Sequence, residues 1–149
     1  MTQSDLYDFI TRSKYGVLGT IGENGNPQSA LVGIAVTEDL EIVFDTIKSS
    51  RKYLNLIAKP ACSFAIGWAD ERTVQYEGEA RELSGAELAR YQEPYFQAWP
   101  KCRAHMSWPG IVYVVVRPRW IRYSGYDQNP PVIQEFTFPG VPFSEEIGE

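Results

Sequence analysis

Short segments in which apolar and polar residues alternate recur along the chain, and tight turns separate them. The clearest segment, residues 72–83, places Val74, Tyr76 and Ala80 on one face and polar residues on the other. This period of two is typical of a strand with one buried face. Further candidate strands lie at residues 15–21, 29–36, 40–45, 61–68 and 111–116. Roughly six strands joined by short turns predict a small, mostly antiparallel barrel.

Helical patterns interrupt the predicted strands. They lie at residues 4–13, in the interval before Pro60, and from a capping-box pattern at residues 84–87 onward. Residues 111–116 are apolar on both faces, so this strand is predicted to be covered on both sides, with another subunit as one candidate cover. The proline-rich tail, residues 125–149, is predicted to be largely irregular. We therefore predict a single mostly-β domain over residues 1–149, with short flanking helices.

Composition narrows the classes of function. The chain has 14 basic and 19 acidic residues and a net charge of −5, which argues against a nucleic-acid surface. Its first residues lack the basic and apolar pattern of a signal peptide, and no apolar run is long enough to span a bilayer. Two cysteines are too few for a disulfide framework. These features predict a cytoplasmic protein that does not bind nucleic acid or membranes.

The charges near residue 50 conflict with the predicted local structure. Ser49 or Ser50 is predicted to cap a helix, and Arg51 and Lys52 fall in its first turn. A helix N-terminus disfavours cations by ~0.3–1 kcal/mol each. A bound phosphate, held by the exposed amides, the serine hydroxyls and both cations, removes the conflict. On these residues alone, a solvated basic turn is an equal alternative.

Two other features of the sequence are candidates for a binding site. Cys102 and His105 have the C-x-x-H spacing of a metal half-site, but the chain has no second pair of cysteine or histidine residues to complete a zinc site. We therefore predict no metal site. The aromatic residues are mostly expected in the core or an interface. Trp120, directly after the last strong strand, is the best placed to border a flat aromatic cofactor.

The segment Phe44-Asp45-Thr46, followed by Ser50-Arg51-Lys52, resembles the flavin-phosphate motif of the pyridoxamine 5′-phosphate oxidase-like split barrels, which bind FMN. The order of hairpin, strand, SRK helix, proline-led strand and Glu77-Gly78 strand also follows that family over roughly residues 4–131. The resemblance implies a split β-barrel and assigns the FMN phosphate to Ser50, Arg51 and Lys52, with Thr46 on the phosphate or ribityl chain.

The resemblance also implies contacts outside this motif. The second strand would lie along the isoalloxazine ring and bind its edge with backbone groups, and family members are homodimers with two flavins in grooves between subunits. The cofactor-binding residues predicted on this basis are Ser29, Ala30, Leu31, Val32, Asp45, Thr46, Ser50, Arg51, Lys52, Thr73, Gln75 and Trp120. The resemblance therefore predicts a homodimer with FMN at the subunit interface.

The chain departs from the family at positions tied to the substrate. Pyridoxamine phosphate oxidases have an Arg and a Lys on the second strand, where this chain has Ser29 and Ile34. Thr73 stands at the position where the family has a glutamine on the fifth strand. Gln75, two residues later on the same face of the strand, is a candidate substitute for that glutamine. We expect an FMN-dependent oxidoreductase that uses a small molecule other than pyridoxamine phosphate, and no catalytic acid or base stands out. Alternatives are a deazaflavin-dependent reductase on the same fold, or a non-catalytic protein that stores or senses flavin or haem, for which His105 is the single histidine.

Overall fold

The computed structural model describes residues 1–140, which form an antiparallel sheet with three helices. The helices are α1 (Gln3–Ser13), α2 (Arg51–Ala58) and α3 (Ala86–Ala98), and 3₁₀ segments lie at Ala69–Glu71 and Pro100–Ser107. The strands are β1 (Tyr15–Ile21), β2 (Pro27–Gly33), β3 (Ala35–Val36), β4 (Ile42–Ile47), β5 (Ala61–Ile66), β6 (Arg72–Glu82), β7 (Ile111–Gly125) and β8 (Val132–Thr137). The prediction of a mostly-β fold is confirmed.

The strands follow the order β2-β1-β5-β6-β7-β4-β3, and all neighbours run antiparallel. Strand β7 is long enough to have two partners on one edge: its first half pairs with β4 and its second half with β8. The register between β6 and β7 shifts at Gly78, where a Cβ atom would collide with the carbonyl oxygen of Arg117. This bulge helps to curl the sheet into a split barrel.

Two separate cores lie on opposite faces of β4 and β7. The barrel interior contains Phe44, Phe64 and Tyr76, and their rings pack edge to face. A second core lies under α3, where Tyr91, Tyr95 and Phe96 cover the outer side of the sheet. The apolar residues on both faces of β7 are thus covered by one chain. The suggestion that another subunit supplies the second cover is wrong, and it lends no support to a dimer.

Three local predictions differ from the structure. The second predicted strand is broken at Ile34, whose buried side chain lies in the barrel core while its N–H donates to the Lys14 carbonyl oxygen. Helix α3 is preceded by Gly85 and has no side-chain cap, so the predicted capping box is absent. Strand β8 lies in the tail predicted to be irregular. Residues 141–149 of that tail lie outside the described residues. None of the described helices has the length and hydropathy needed to span a bilayer.

Candidate functional site

The segment from the end of β4 to the first turn of α2, residues 46–52, is built around two hydroxyl groups, and we call it the basic turn. The Thr46 and Ser50 hydroxyl oxygens lie 2.8 Å apart, so one donates to the other. Ser50 has an extended backbone and caps α2, because its hydroxyl accepts from the Tyr53 N–H at 3.2 Å. Both side chains are therefore fixed at the start of the helix, where free N–H groups accumulate.

Charge at the basic turn is unbalanced. Arg51 and Lys52 occupy the first turn of α2, which has no acidic residue. Within residues 1–140, neither cation forms an ion pair with a carboxylate. The helix dipole and both cations consequently leave excess positive charge beside two fixed hydroxyls. This combination of amides, hydroxyls and cations can bind a phosphate or another small oxyanion.

Helix α2 is held against the barrel by buried and partly buried polar contacts. The Asn55 amide donates to the Thr20 hydroxyl at 3.0 Å and to the Gln28 side-chain oxygen at 2.8 Å. The Tyr53 hydroxyl donates to Glu82 at 2.7 Å. A cleft of about 650 Å³ lies between α2 and the β1–β2 hairpin, with Arg51 in its lining. The basic turn therefore borders a concave surface large enough for part of a nucleotide-sized ligand.

The predicted residues of the second strand lie at an edge of the sheet. Strand β2 pairs with β1 on one side and begins the strand order, so alternate backbone groups face away from the sheet. Ser29 and Leu31 are exposed, Ala30 is half-buried and Val32 points into the barrel core. The edge of β2 offers backbone donors and acceptors, but the side chains of these four residues offer only one hydroxyl.

Thr73, Gln75 and Trp120 lie on the outer face of β6 and β7, which we call the outer patch. Thr73 donates to the Ile66 carbonyl oxygen at 3.4 Å, and Gln75 is exposed. The Arg122 guanidinium lies over the Trp120 ring at 5.8 Å. Gln75 lies seven residues before Glu82, the β6 residue that contacts α2, which corresponds to about 20 Å along the strand. One protomer therefore does not bring the outer patch to the basic turn.

Asp45 projects from the face of β4 opposite to Thr46. Its carboxylate lies 2.7 Å from His105 Nδ1, and the His105 ring stacks on Trp108 at 3.8 Å with an interplanar angle of 24°. Asp45, Cys102 and His105 each offer a ligand atom, and these atoms lie within 4.8 Å of one another. The structure thus places Asp45 apart from Thr46 and Ser50, with which the sequence grouped it.

Two tyrosines complete this group, and we call Asp45, Tyr95, Cys102, His105 and Tyr113 the histidine cluster. Burial raises the pKa of Tyr95 far above its ordinary value, and the charge of Asp45 raises it further. Burial also raises the pKa of Tyr113, again with Asp45 adding to the effect. The Tyr113 hydroxyl is buried and makes no hydrogen bond of full geometry within residues 1–140, although the nearby Gln92 side chain acts to lower its pKa. Sequence reasoning missed this cluster, for which the C-x-x-H spacing was the single local signal.

Comparisons of the sequence with known proteins identify a family that the chain matches. The family model described as pyridoxamine 5′-phosphate oxidase matches residues 3–125. A pyridoxine/pyridoxamine 5′-phosphate oxidase from Thermosynechococcus vestitus is 37% identical over 84 residues, which are 56% of this chain and 38% of that protein. The chain thus aligns with well under half the length of this relative.

Solved structures share the fold at lower identity. A heme binding protein from Mycobacterium smegmatis matches with a TM-score of 0.78 and 20% identity, over 92% of this chain and 58% of that one. A pyridoxamine 5′-phosphate oxidase-related, FMN binding protein from Nostoc punctiforme matches with a TM-score of 0.64 and 13% identity, over 92% and 95%. An F420 reductase matches with a TM-score of 0.60 and 21% identity, over 76% and 93%.

Proposed function

Because the chain belongs to the pyridoxamine 5′-phosphate oxidase family, we propose that it is an FMN-binding flavoprotein that acts as an oxidoreductase on a small molecule. One observation carries the proposal. The basic turn joins two fixed hydroxyls to two cations that have no carboxylate partner within residues 1–140. This donor set suits the terminal phosphate of FMN, which is doubly charged at neutral pH and rich in acceptor oxygens.

The residues of the basic turn would make two kinds of contact with the phosphate. Arg51 and Lys52 would neutralise the phosphate, while the Ser50 and Thr46 hydroxyls would fix its orientation at the start of α2. The free edge of β2 would then bind the ring edge through backbone groups. FMN, when bound, supplies hydride or electron transfer, and the protein supplies binding, orientation and the surrounding hydrogen bonds.

The position of the outer patch supports a homodimer. Gln75 lies about 20 Å along β6 from Glu82, the β6 residue that contacts α2, and Thr73 and Trp120 lie at the same end of the sheet as Gln75. We infer that one protomer does not place both the outer patch and the basic turn on one FMN ring system. A second copy can bring its own outer patch to the basic turn of the first. We therefore propose two equivalent flavin sites, each completed by the partner subunit.

We propose a substrate other than pyridoxamine phosphate. The two second-strand positions that are basic in authentic pyridoxamine phosphate oxidases are occupied here by Ser29 and Ile34. Ile34 is 2% exposed in the barrel core and cannot contact a ligand in the groove.

The two alternative cofactors, a deazaflavin and haem, would need different residues of this chain. A deazaflavin cofactor also carries a phosphate, so it would use the same basic turn. Haem bound through a histidine would need His105, whose Nδ1 atom is held by Asp45 on the opposite face of β4. The geometry of the basic turn therefore favours a phosphate-bearing cofactor over haem at this site.

FMN titration of the flavin-free protein tests the proposal. Replacing both Arg51→Ala and Lys52→Ala should weaken FMN binding by roughly 10²- to 10⁴-fold, because each charge-assisted contact contributes about 1.5–3 kcal/mol. The matched control is Lys101→Ala with Arg103→Ala, which removes the same charge from the other side of β4. Fluorescence quenching of FMN gives both affinities.

Several outcomes would contradict the proposal. An affinity that is equal in the two double variants would refute the basic turn as the phosphate site. A colourless protein that does not bind added FMN would refute the cofactor, while a Soret band or selective binding of a deazaflavin would favour an alternative. Anaerobic bleaching of bound FMN by NADH or NADPH tests the oxidoreductase step, and its absence with both donors favours storage or sensing.

A further inference from the structure

The histidine cluster combines three kinds of metal ligand in a small volume. Asp45 offers a carboxylate oxygen from β4, while Cys102 and His105 offer sulfur and nitrogen from the 3₁₀ segment Pro100–Ser107. The three candidate ligand atoms lie within 4.8 Å of one another. Oxygen, nitrogen and thiolate sulfur together form a donor set that Zn²⁺ accepts, whereas Mg²⁺ and Ca²⁺ prefer oxygen alone.

We propose that Asp45, Cys102 and His105 form a binding site for one Zn²⁺ ion. The charges balance, because a carboxylate and a thiolate together neutralise a divalent cation while the imidazole stays neutral. Three protein ligands leave one tetrahedral position for water or another oxygen. The site is independent of the flavin proposal, since it lies on the opposite face of β4 from the basic turn.

Tyr113 provides a second observation that points to a ligand. It pairs directly with Asp45 across β4 and β7, so both side chains project from the same face. Its hydroxyl is buried and makes no hydrogen bond of full geometry within residues 1–140, although the Gln92 side chain lies close enough to lower its pKa. An under-satisfied buried hydroxyl costs about 1–3 kcal/mol. A zinc-bound water, or the ion itself, would give this hydroxyl a partner.

Binding requires a small rearrangement and a defined release of protons. His105 Nδ1 and Asp45 Oδ2 lie 2.7 Å apart, and two ligand atoms on a tetrahedral Zn²⁺ lie about 3.3 Å apart. The gap must therefore widen slightly as the ion replaces the proton between them. The imidazole keeps one proton, now on Nε2, and Cys102 binds as a thiolate. One proton per ion, from the Cys102 thiol, passes to solvent.

The bound ion would fasten the 3₁₀ segment Pro100–Ser107 to β4. The 3₁₀ segment ends just before Gly110, whose carbonyl oxygen accepts from the N–H of Lys48 in the basic turn at 2.9 Å. An ion held by Asp45 and by two residues of this segment would fasten the segment to the sheet. Zinc binding would thereby stabilise the folded protein, by an amount that depends on free Zn²⁺ concentration.

Cobalt substitution tests the proposal on the tag-free 149-residue chain. Co²⁺ added to metal-free protein should give, at one ion per chain, a thiolate-to-cobalt charge-transfer band and the intense visible bands of tetrahedral Co²⁺. Difference spectra against the metal-free sample cancel any flavin absorption. Zn²⁺ should then displace the cobalt and remove these bands. A wild-type protein that shows no thiolate band overturns the proposal without any variant.

Matched variants locate the ligands. Cys102→Ser should abolish the thiolate band, and His105→Gln or Asp45→Asn should each weaken Zn²⁺ binding at least about tenfold. Cys62→Ala is the control, because Cys62 lies in the barrel core and burial raises the pKa of its thiol to about 12. A thiolate band that persists in Cys102→Ser, or equal Zn²⁺ affinity in the wild type and all three ligand variants, would overturn the site.

Discussion

Thr46 and Asp45 are neighbours in sequence but belong to different regions of the molecule. Thr46 faces the start of α2 and contacts Ser50, four residues away. Asp45 faces α3 and contacts His105, sixty residues away. The basic turn is thus made by local contacts within one segment, and the histidine cluster by contacts between distant segments. Alternation along a strand sends successive side chains to opposite faces, so adjacent positions can serve unrelated sites.

The largest effect on stability is expected from Asp45. In metal-free protein, Asp45→Ala removes the acceptor of the His105 hydrogen bond and should lower the free energy of unfolding by about 2 kcal/mol. The same variant should leave FMN affinity unchanged, because the Asp45 side chain lies on the other face of β4. Urea unfolding and FMN titration measure the two quantities on the same sample.

Thr46→Val is the matched comparison for Asp45→Ala. It removes a hydroxyl from the basic turn and keeps the shape of the side chain, so FMN binding should weaken by about 0.5–1.5 kcal/mol. If Asp45→Ala binds FMN more weakly although the variant is fully folded, the two faces of β4 do not act separately. This result would also restore Asp45 to the cofactor site predicted from sequence.

This contrast explains how much of the molecule could be predicted from sequence. The alternation in residues 72–83 and the Ser50-Arg51-Lys52 segment are local signals, so the mostly-β fold and the composition of the basic turn followed from them. Asp45 and Tyr113 meet the 3₁₀ segment through pairing of β4 with β7 and packing of α3, which no local pattern encodes. Strand β8 was missed because its proline-rich surroundings suggest a turn, whereas pairing with β7 determines its structure.

The side of β4 that is covered by α3 should also make the free energy of unfolding depend on alkaline pH, through Tyr91. Burial raises the pKa of Tyr91 to about 12, and its hydrogen bond to Glu41 acts in the same direction. The unfolded chain loses this proton near pH 10, while the folded protein retains it. The unfolded state therefore binds fewer protons, and stability falls as the pH rises from about 10 to 12.

A pH series on Tyr91→Phe isolates this effect. Between pH 9 and pH 11 the wild type should lose about 1 kcal/mol more of its free energy of unfolding than the variant. Tyr126→Phe, which alters an exposed tyrosine, is the control and should follow the wild type. Urea unfolding at each pH gives the slopes. If the free energy of unfolding falls with pH at the same rate in the wild type and in Tyr91→Phe, Tyr91 does not contribute to the loss of stability at alkaline pH.

The smallest effect concerns the cap of α2, where the sequence left Ser49 and Ser50 as alternatives. The Ser50 hydroxyl accepts from the Tyr53 N–H, whereas the Ser49 side chain is exposed. Ser50→Ala should therefore lower the free energy of unfolding by about 1 kcal/mol, and Ser49→Ala should leave it nearly unchanged. Equal losses would mean that capping is shared between the serines. Because this contact is local, the Ser50→Ala cost should be the same in the wild type and in Asp45→Ala, and a double-mutant cycle measures whether the two faces of β4 are independent.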